Sequence, residues 1–260
     1  MQISQSPSTR SLDQATQSQQ TQLERLGSGQ RINSAKDDAA GLSISTGLDS
    51  QSRSMTAAVR NTMEGVSRIQ VEDGALGSIN EDLQRVRELT VQQQNGILND
   101  SDKAAIQSEI DQRLESINSR FEQTQFNGQN VFENKDLGFQ VDANAGDQIE
   151  LKGSDVADAL INEEIELGNA LDLDAIDNAL QSVNDRRSEL GAVSNRLTQS
   201  AQFVELKNQN NQEANSRIRD TDFAKASSEN AKNDIQKQVA ISVFAQGNAN
   251  QQDVLKLLGP

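Results

Sequence analysis

The chain has 260 residues, a formal net charge of −15, 34% hydrophobic and 3% aromatic content, and no His, Cys, Tyr or Trp. Those absences exclude imidazole bases, thiolate nucleophiles, disulfides and zinc–thiolate sites. The acidity argues against nucleic acid or an anionic membrane as the main partner, since both demand clustered Lys and Arg.

Burial must come from aliphatic side chains and seven Phe, which favours slender helix seams over a thick core. Proline stands only at positions 7 and 260, so long helices are permitted almost throughout. No stretch approaches the ~20 apolar residues of a membrane span. Residues 1–9 lack the basic-then-apolar run of a secretory signal, so any exit from the cell is expected by another route.

In chain order, residues 12–26 are rich in Gln and Ser, with apolar positions at Leu12, Ala15, Leu23 and Leu26. They predict a weakly amphipathic helix that is mobile in the free monomer, because so polar a segment buries too little to offset its ordering entropy. Gly27, Ser28 and Gly29 should interrupt it, residues 33–41 read as a turn-rich connector, and a new helix is expected to begin near Leu42 to Ser45.

From Ile44 the apolar series runs Leu48, Met55, Val59, Thr62, Val66, Ile69, Leu76, Ile79, Leu83, Val86 and Leu89, mainly in steps of three, four and seven. That is a heptad seam, predicting a rod of roughly 75 Å to about Gln94, ended by Asn95-Gly96. Gly65, Gly74 and Gly77 inside it each cost ~1 kcal/mol relative to Ala, which suggests close backbone approach between packed rods. A second helix from Ser101 to about Gln123, started by Ser101 and Asp102, carries Ile106, Ile110, Leu114, Ile117 and Phe121 on one face and should fold back antiparallel.

Phe126-Asn127-Gly128 reads as a turn, and residues 138–151 as two short strands around a Gly-containing loop. Ten acidic residues against Lys152 between Ala145 and Leu180 read as a solvated surface ahead of a cation site. The helical period resumes through Ile176, Leu180, Val183, Arg187, Leu190, Ser194, Leu197, Ala201 and Val204. After the Asn/Gln-rich residues 208–212 and residues 215–223, a last helix carries Ile235, Val239, Val243 and Phe244 and ends in the apolar run 254–258.

The expected fold is therefore mainly α: a long antiparallel, coiled-coil-like helical rod with a small β-hairpin segment and paired terminal helices. The expected domains are an amino-terminal helix and connector over 1–41, a rod domain over 42–207 with β structure near 126–153, and a carboxyl-terminal helix over 208–260. Two ends too weak to fold alone can be ordered by each other and by neighbouring copies, which couples folding to polymerisation. Catalysis is disfavoured, since only paired carboxylates such as Asp37 and Asp38 remain and their neighbours suggest a turn.

Residues 23–42, with Leu23-Glu24-Arg25-Leu26 and Arg31-Ile32-Asn33-Ser34-Ala35-Lys36-Asp37-Asp38-Ala39-Ala40-Gly41-Leu42, closely resemble the amino-terminal signature of flagellins. Glu72-Asp73-Gly74-Ala75-Leu76 and Leu83-Gln84-Arg85-Val86-Arg87-Glu88-Leu89 do so as well. On the carboxyl side Arg187-Ser188-Glu189-Leu190-Gly191, Arg217-Ile218-Arg219-Asp220-Thr221-Asp222-Phe223 and Val254-Leu255-Lys256-Leu257-Leu258 match in order.

The resemblance implies a hollow filament with the paired termini as inner tube, in a short form without outer variable domains. It implies filament contacts at Leu23, Leu26, Arg31, Asn33, Lys36, Asp37, Asp38, Val239, Val243, Val254, Leu255, Leu257 and Leu258. It further implies no cofactor or metal, export through the flagellar secretion channel, an export chaperone, and cap and hook-associated proteins as partners. A host Toll-like receptor patch would fall at Arg85, Leu89 and Glu109. The alternatives are a hook–filament junction protein and a non-flagellar coiled-coil module. The polar amino-terminal helix departs from the family pattern at Gly27-Ser28-Gly29-Gln30, and predicts inner packing that is either looser than a continuous Leu12, Leu23 and Leu26 seam would give or compensated by the carboxyl-terminal helix.

Overall fold

The computed structural model describes residues 7–154, 156 and 172–259. Five helices are described: α1 (Pro7–Ser28), α2 (Ala39–Gln93), α3 (Asp100–Gln123), α4 (Leu173–Arg219) and α5 (Phe223–Leu258). Two antiparallel hairpins lie between α3 and α4: β1 (Gln125–Phe126) with β2 (Gln129–Asn130), and β3 (Leu137–Gln140) with β4 (Gln148–Leu151). Half of the ten acidic residues between Ala145 and Leu180 lie outside the described residues.

The chain forms two compact units, one from the residues up to Ser50 with those from Asn210, the other from Gln51 to Gln209. In the middle unit α3 runs antiparallel to α2, as the pairs Gln93 with Gln107, Arg85 with Glu109 and Asp82 with Arg113 show. Its core joins Leu76, Leu83 and Leu89 of α2, Ile110 and Leu114 of α3, and Ile176, Val183 and Leu190 of α4. The segment after β2 and the second hairpin join that core through Phe132, Ile149 and Leu151, with Phe132 against Phe121 of α3 in a T-shaped contact, ring centroids 4.8 Å apart.

The seam of α2 departs from hydropathy at one place. Between Ile69 and Leu76 the inward position is Glu72, with no exposure at all. Its carboxylate accepts from Arg186 Nε at 2.8 Å and pairs with Arg68 at 3.5 Å. Arg186, itself buried, also donates to the Lys152 carbonyl at 3.0 Å and to Glu189 at 3.0 Å. Burial pushes the Glu72 carboxyl above the usual carboxylate range against the pull of both guanidinium groups. The α4 seam correspondingly shows Ala179, Arg186 and Val193 buried where Leu180, Arg187 and Ser194 were expected. Both flanks of the Ile176, Val183 and Leu190 line satisfy the heptad, and the charge partner of Glu72 selects the flank.

Other boundaries shift for local reasons. The second hairpin is as expected, with Phe139 opposite Ile149. The Asn127-Gly128 turn closes the additional pair β1 and β2, with φ of 53° and 76° suited to a two-residue hairpin turn. The α3 cap is Asn99, whose side chain accepts from the Asp102 N–H at 2.8 Å, rather than Ser101 or Asp102. Residues 208–212 do not break α4, because Asn and Gln cost a helix only a few tenths of a kcal/mol. Asn208 there donates to Thr56 at 3.2 Å. Gly65 is explained within the chain: a Cβ there would meet the Phe139 ring at 2.8 Å. Gly74 faces open space instead.

Candidate assembly surface

The terminal unit is held by polar contacts. Pro7 opens α1 at a first-turn position that lacks nothing without an N–H, and α1 runs through Gly27 to Ser28, where Gly29 at φ 69° ends it. The helix pairs with α5 in antiparallel order. Gln22, 9% exposed, donates to Glu229 at 2.8 Å, while Gln19 donates to Asp234 at 3.3 Å and accepts from Lys237 at 3.2 Å. Leu12 and Leu26 are half-buried and Leu23 is 53% exposed, so no continuous apolar seam forms within the single chain.

After α1 the two halves of the chain clasp each other. Gln30 and Asp220 form an antiparallel bridge, with Arg31 N–H donating to the Arg219 carbonyl at 2.6 Å and Thr221 N–H to the Gly29 carbonyl at 3.0 Å. The Arg31 guanidinium adds a bond to the Ile218 carbonyl at 2.6 Å. Beneath it Ile32 is buried, and Gly41 packs so closely that a Cβ would lie 2.7 Å from the Ile32 side chain.

The connector explains two of the predicted residues locally. Asp37 accepts from the N–H groups of Asn33 and Ser34 and from the Ser34 hydroxyl, at 3.0 to 3.2 Å. That hydroxyl above all holds the Asp37 carboxyl below the usual range, against desolvation. Asp38 accepts from the Gly41 N–H at 2.8 Å, and so caps α2, which begins at Ala39 rather than Leu42.

The remaining predicted residues scatter over this unit. Asn33 and Lys36 are exposed, and Val239 and Val243 are 54% and 55% exposed. The side chains of Val254, Leu255, Leu257 and Leu258 lie outside the described residues. The sequence reading missed Gln19, Gln22, Glu229 and the Gly29 to Thr221 bridge, because single polar residues on opposite ends of a chain carry no periodic signal. In the middle unit Arg85 and Glu109 form an exposed pair at 3.1 Å, but Leu89 is 2% exposed and belongs to the core beneath them, not to a contact patch.

The unit is poor in core. Among the described residues its buried apolar side chains are Ile32 and Ala226, and every other one lies between Met55 and Val156 or between Ile176 and Val204. Its large apolar side chains are instead exposed at Leu23, Ile44, Phe223, Ile235, Val239, Ile241 and Val243, of which Ile235, Val239 and Val243 line a groove against α1. No described helix is long and apolar enough to cross a membrane.

A mainly helical chain whose two ends clasp through polar bonds and leave their apolar residues exposed is built as an assembly subunit. Residues 1–136 match the bacterial flagellin N-terminal helical region and residues 173–258 the C-terminal helical region. The chain is 39% identical over 248 residues to a flagellin of Halalkalibacterium halodurans, covering 92% of this chain and 91% of that protein. It is 37% identical over 280 residues to a flagellin of Bacillus subtilis, covering 92% of each. It is also similar to the flagellar filament 30.7 kDa core protein of Treponema maltophilum, at 35% over 262 residues and 92% of each. The crystal structure of Bacillus cereus flagellin is similar with a TM-score of 0.51 and 29% identity, over 56% of this chain and 88% of that one. The chain belongs to the bacterial flagellin family and is a structural subunit of the extracellular flagellar filament that serves swimming motility. The hook–filament junction alternative finds no support.

Proposed function

We propose that residues 1–41 and 208–260 are the inner assembly element of the filament, ordered by neighbouring copies, and that residues 42–207 are the rod that they carry. The observation behind this reading is the imbalance just described: almost no apolar burial in the terminal unit, and apolar side chains of α5 left exposed along a groove against α1. Contacts at Leu23, Leu26, Val239, Val243 and the 254–258 run then supply the missing core from other subunits. Arg31, Asn33, Lys36, Asp37 and Asp38 act at the connector, and the bonds of Asp37 and Asp38 make them positioning groups for the clasp before any contact between copies.

The subunit is not an enzyme. Its adjacent carboxylates Asp37 and Asp38 are engaged in a turn and a helix cap. Weakly ordered ends suit export through the flagellar secretion channel in an unfolded form, and an apolar carboxyl terminus suits an export chaperone before assembly. Cap and hook-associated proteins complete the partner set, with neither nucleic acid nor membrane. A Toll-like receptor patch at Arg85 and Glu109 has the exposed pair in its favour, with Leu89 supporting it from below.

Seeding purified full-length chain with short filament fragments tests the reading by electron microscopy. Elongation of the fragments into long filaments is expected. Monomer that remains unincorporated at concentrations that elongate other flagellins would contradict it.

A further inference from the structure

Two Asn-Gly pairs stand in turns of the middle unit, Asn95-Gly96 between α2 and α3 and Asn127-Gly128 between β1 and β2. A glycine after asparagine leaves the following amide nitrogen unhindered by a Cβ, which opens a reaction within the chain. The Gly nitrogen attacks the carboxamide carbon Cγ, a C–N bond forms, and the side-chain nitrogen leaves as ammonia with the amide proton. Water then opens the cyclic imide at either carbonyl, giving aspartate or isoaspartate. All four residues are exposed, so water and hydroxide reach both pairs alike.

The two turns hold the reacting atoms differently. Asn95 opens a turn in which the Leu98 N–H donates to its backbone carbonyl at 3.3 Å, and the Ile97 N–H donates to its side-chain Oδ1 at 3.3 Å. The second bond folds the carboxamide back over the Asn95–Gly96 peptide, beside the nitrogen that attacks. It also places a donor on the oxygen that gains charge as the nitrogen adds. The Gly96 N–H donates to no acceptor among the described residues, so no bond has to break before it loses its proton.

Asn127 is the opposite case. Its φ of 53° is left-handed, and in that conformation Cβ and the next nitrogen stand on opposite sides of the Cα–C bond. The side chain reaches the Gly128 nitrogen only if the hairpin opens, and the pairing of Phe126 with Gln129 opposes that.

We propose that Asn95 is a site of spontaneous deamidation, kept reactive by its turn, while the hairpin protects Asn127. The product places one more carboxylate beside the C-terminal end of α2, whose last turn holds no basic side chain and whose dipole disfavours negative charge. The isoaspartyl form also lengthens the backbone by one carbon where α2 gives way to α3. A subunit of an extracellular filament is out of reach of cytoplasmic turnover, so the mark accumulates with its age.

Full-length chain incubated at mildly alkaline pH, then digested for mass spectrometry, gives both rates side by side. The peptide holding Asn95 should gain one mass unit at that residue and take its new oxygen from labelled water. It should convert at least about tenfold faster than the peptide holding Asn127. In concentrated urea, where both pairs lose their turns, the two rates should converge. Gly96→Ala is a second probe that keeps the fold, since a Cβ there meets nothing within 4 Å and the backbone is not left-handed. It should slow conversion at Asn95 by at least about tenfold and leave Asn127 unchanged. Native chain in which Asn127 converts as fast as Asn95, a ratio of rates unaltered by urea, or Gly96→Ala chain that converts at the wild-type rate would each overturn the assignment. None of these outcomes bears on filament growth, which the seeding experiment measures separately.

Discussion

Glu72 and Arg186 show what a single residue contributes here. Two charges removed from water are stabilised only by each other and by well-placed hydrogen bonds, so deleting one partner costs more than deleting both. Arg186→Leu is expected to destabilise the middle unit by about 3–5 kcal/mol. Glu72→Leu combined with Arg186→Leu should recover most of that loss, as thermal unfolding followed by circular dichroism will show. Asp37 acts from a half-buried position in the connector. Its carboxyl is held below the ordinary aspartate value of about 3.9, so its support of the connector is fully present above that pH and is lost as pH falls through the lower, folded value. Amide protection at Asn33 and Ser34 should therefore collapse only below about pH 4, and Asp37→Ala should remove it at neutral pH. Protection that persists unchanged to pH 2.5 would sink this role for Asp37.

Among the elements, the strong helices were legible in the sequence and the weak ones only in part. The α2 and α3 seams carry apolar residues at heptad spacing, and Leu76, Leu83, Ile110 and Leu114 are buried where that spacing put them. What periodicity could not show was a carboxylate filling the gap between Ile69 and Leu76, or which flank of α4 turns inward, because both depend on a partner 114 residues away. The candidate assembly surface was less legible still. The signature around Arg31 to Gly41 located it, but the Gln22 to Glu229 bond and the bridge from Gln30 to Asp220 join distant polar residues with no pattern of their own. Helix glycines provide a direct check at this scale. Gly74→Ala, in open space, should stabilise the monomer by about 0.5–1 kcal/mol. Gly65→Ala should lower its stability by about 1–2 kcal/mol, because the new methyl meets the Phe139 ring. Equal effects from the two substitutions, measured by urea unfolding, would mean that Phe139 does not need the space at Gly65.

Across the whole molecule, charge and burial divide along the same line. Residues 51–209 hold 14 Lys and Arg against 28 Asp and Glu, whereas the two ends together hold 10 against 11. Identical middle units therefore repel one another through their net charge, and the nearly neutral ends do not. Exposed large apolar residues stand on both units, Met63, Ile97, Phe203 and Leu206 among those of the middle one, but the ends have almost no apolar core to set against theirs and keep most of the unpaired buried polar atoms among the described residues. On the function proposed above, a subunit arranged this way is expected to stay monomeric until it meets a filament end, because its association element is incomplete by itself. On the same reading, it gains order when other copies supply what that element lacks. Its middle unit, with a core running from Met55 to Val204, needs no such help.

Hydrogen exchange resolved by residue, compared between free monomer and assembled filament, tests this division most directly. Backbone amides of α1 and α5 should exchange close to unprotected rates in the monomer and slow by at least about 100-fold in the filament, while the amides of residues 69–89 stay strongly protected in both. If α1 and α5 of the free monomer are already protected as well as residues 69–89, the ends fold without neighbours and the account is wrong.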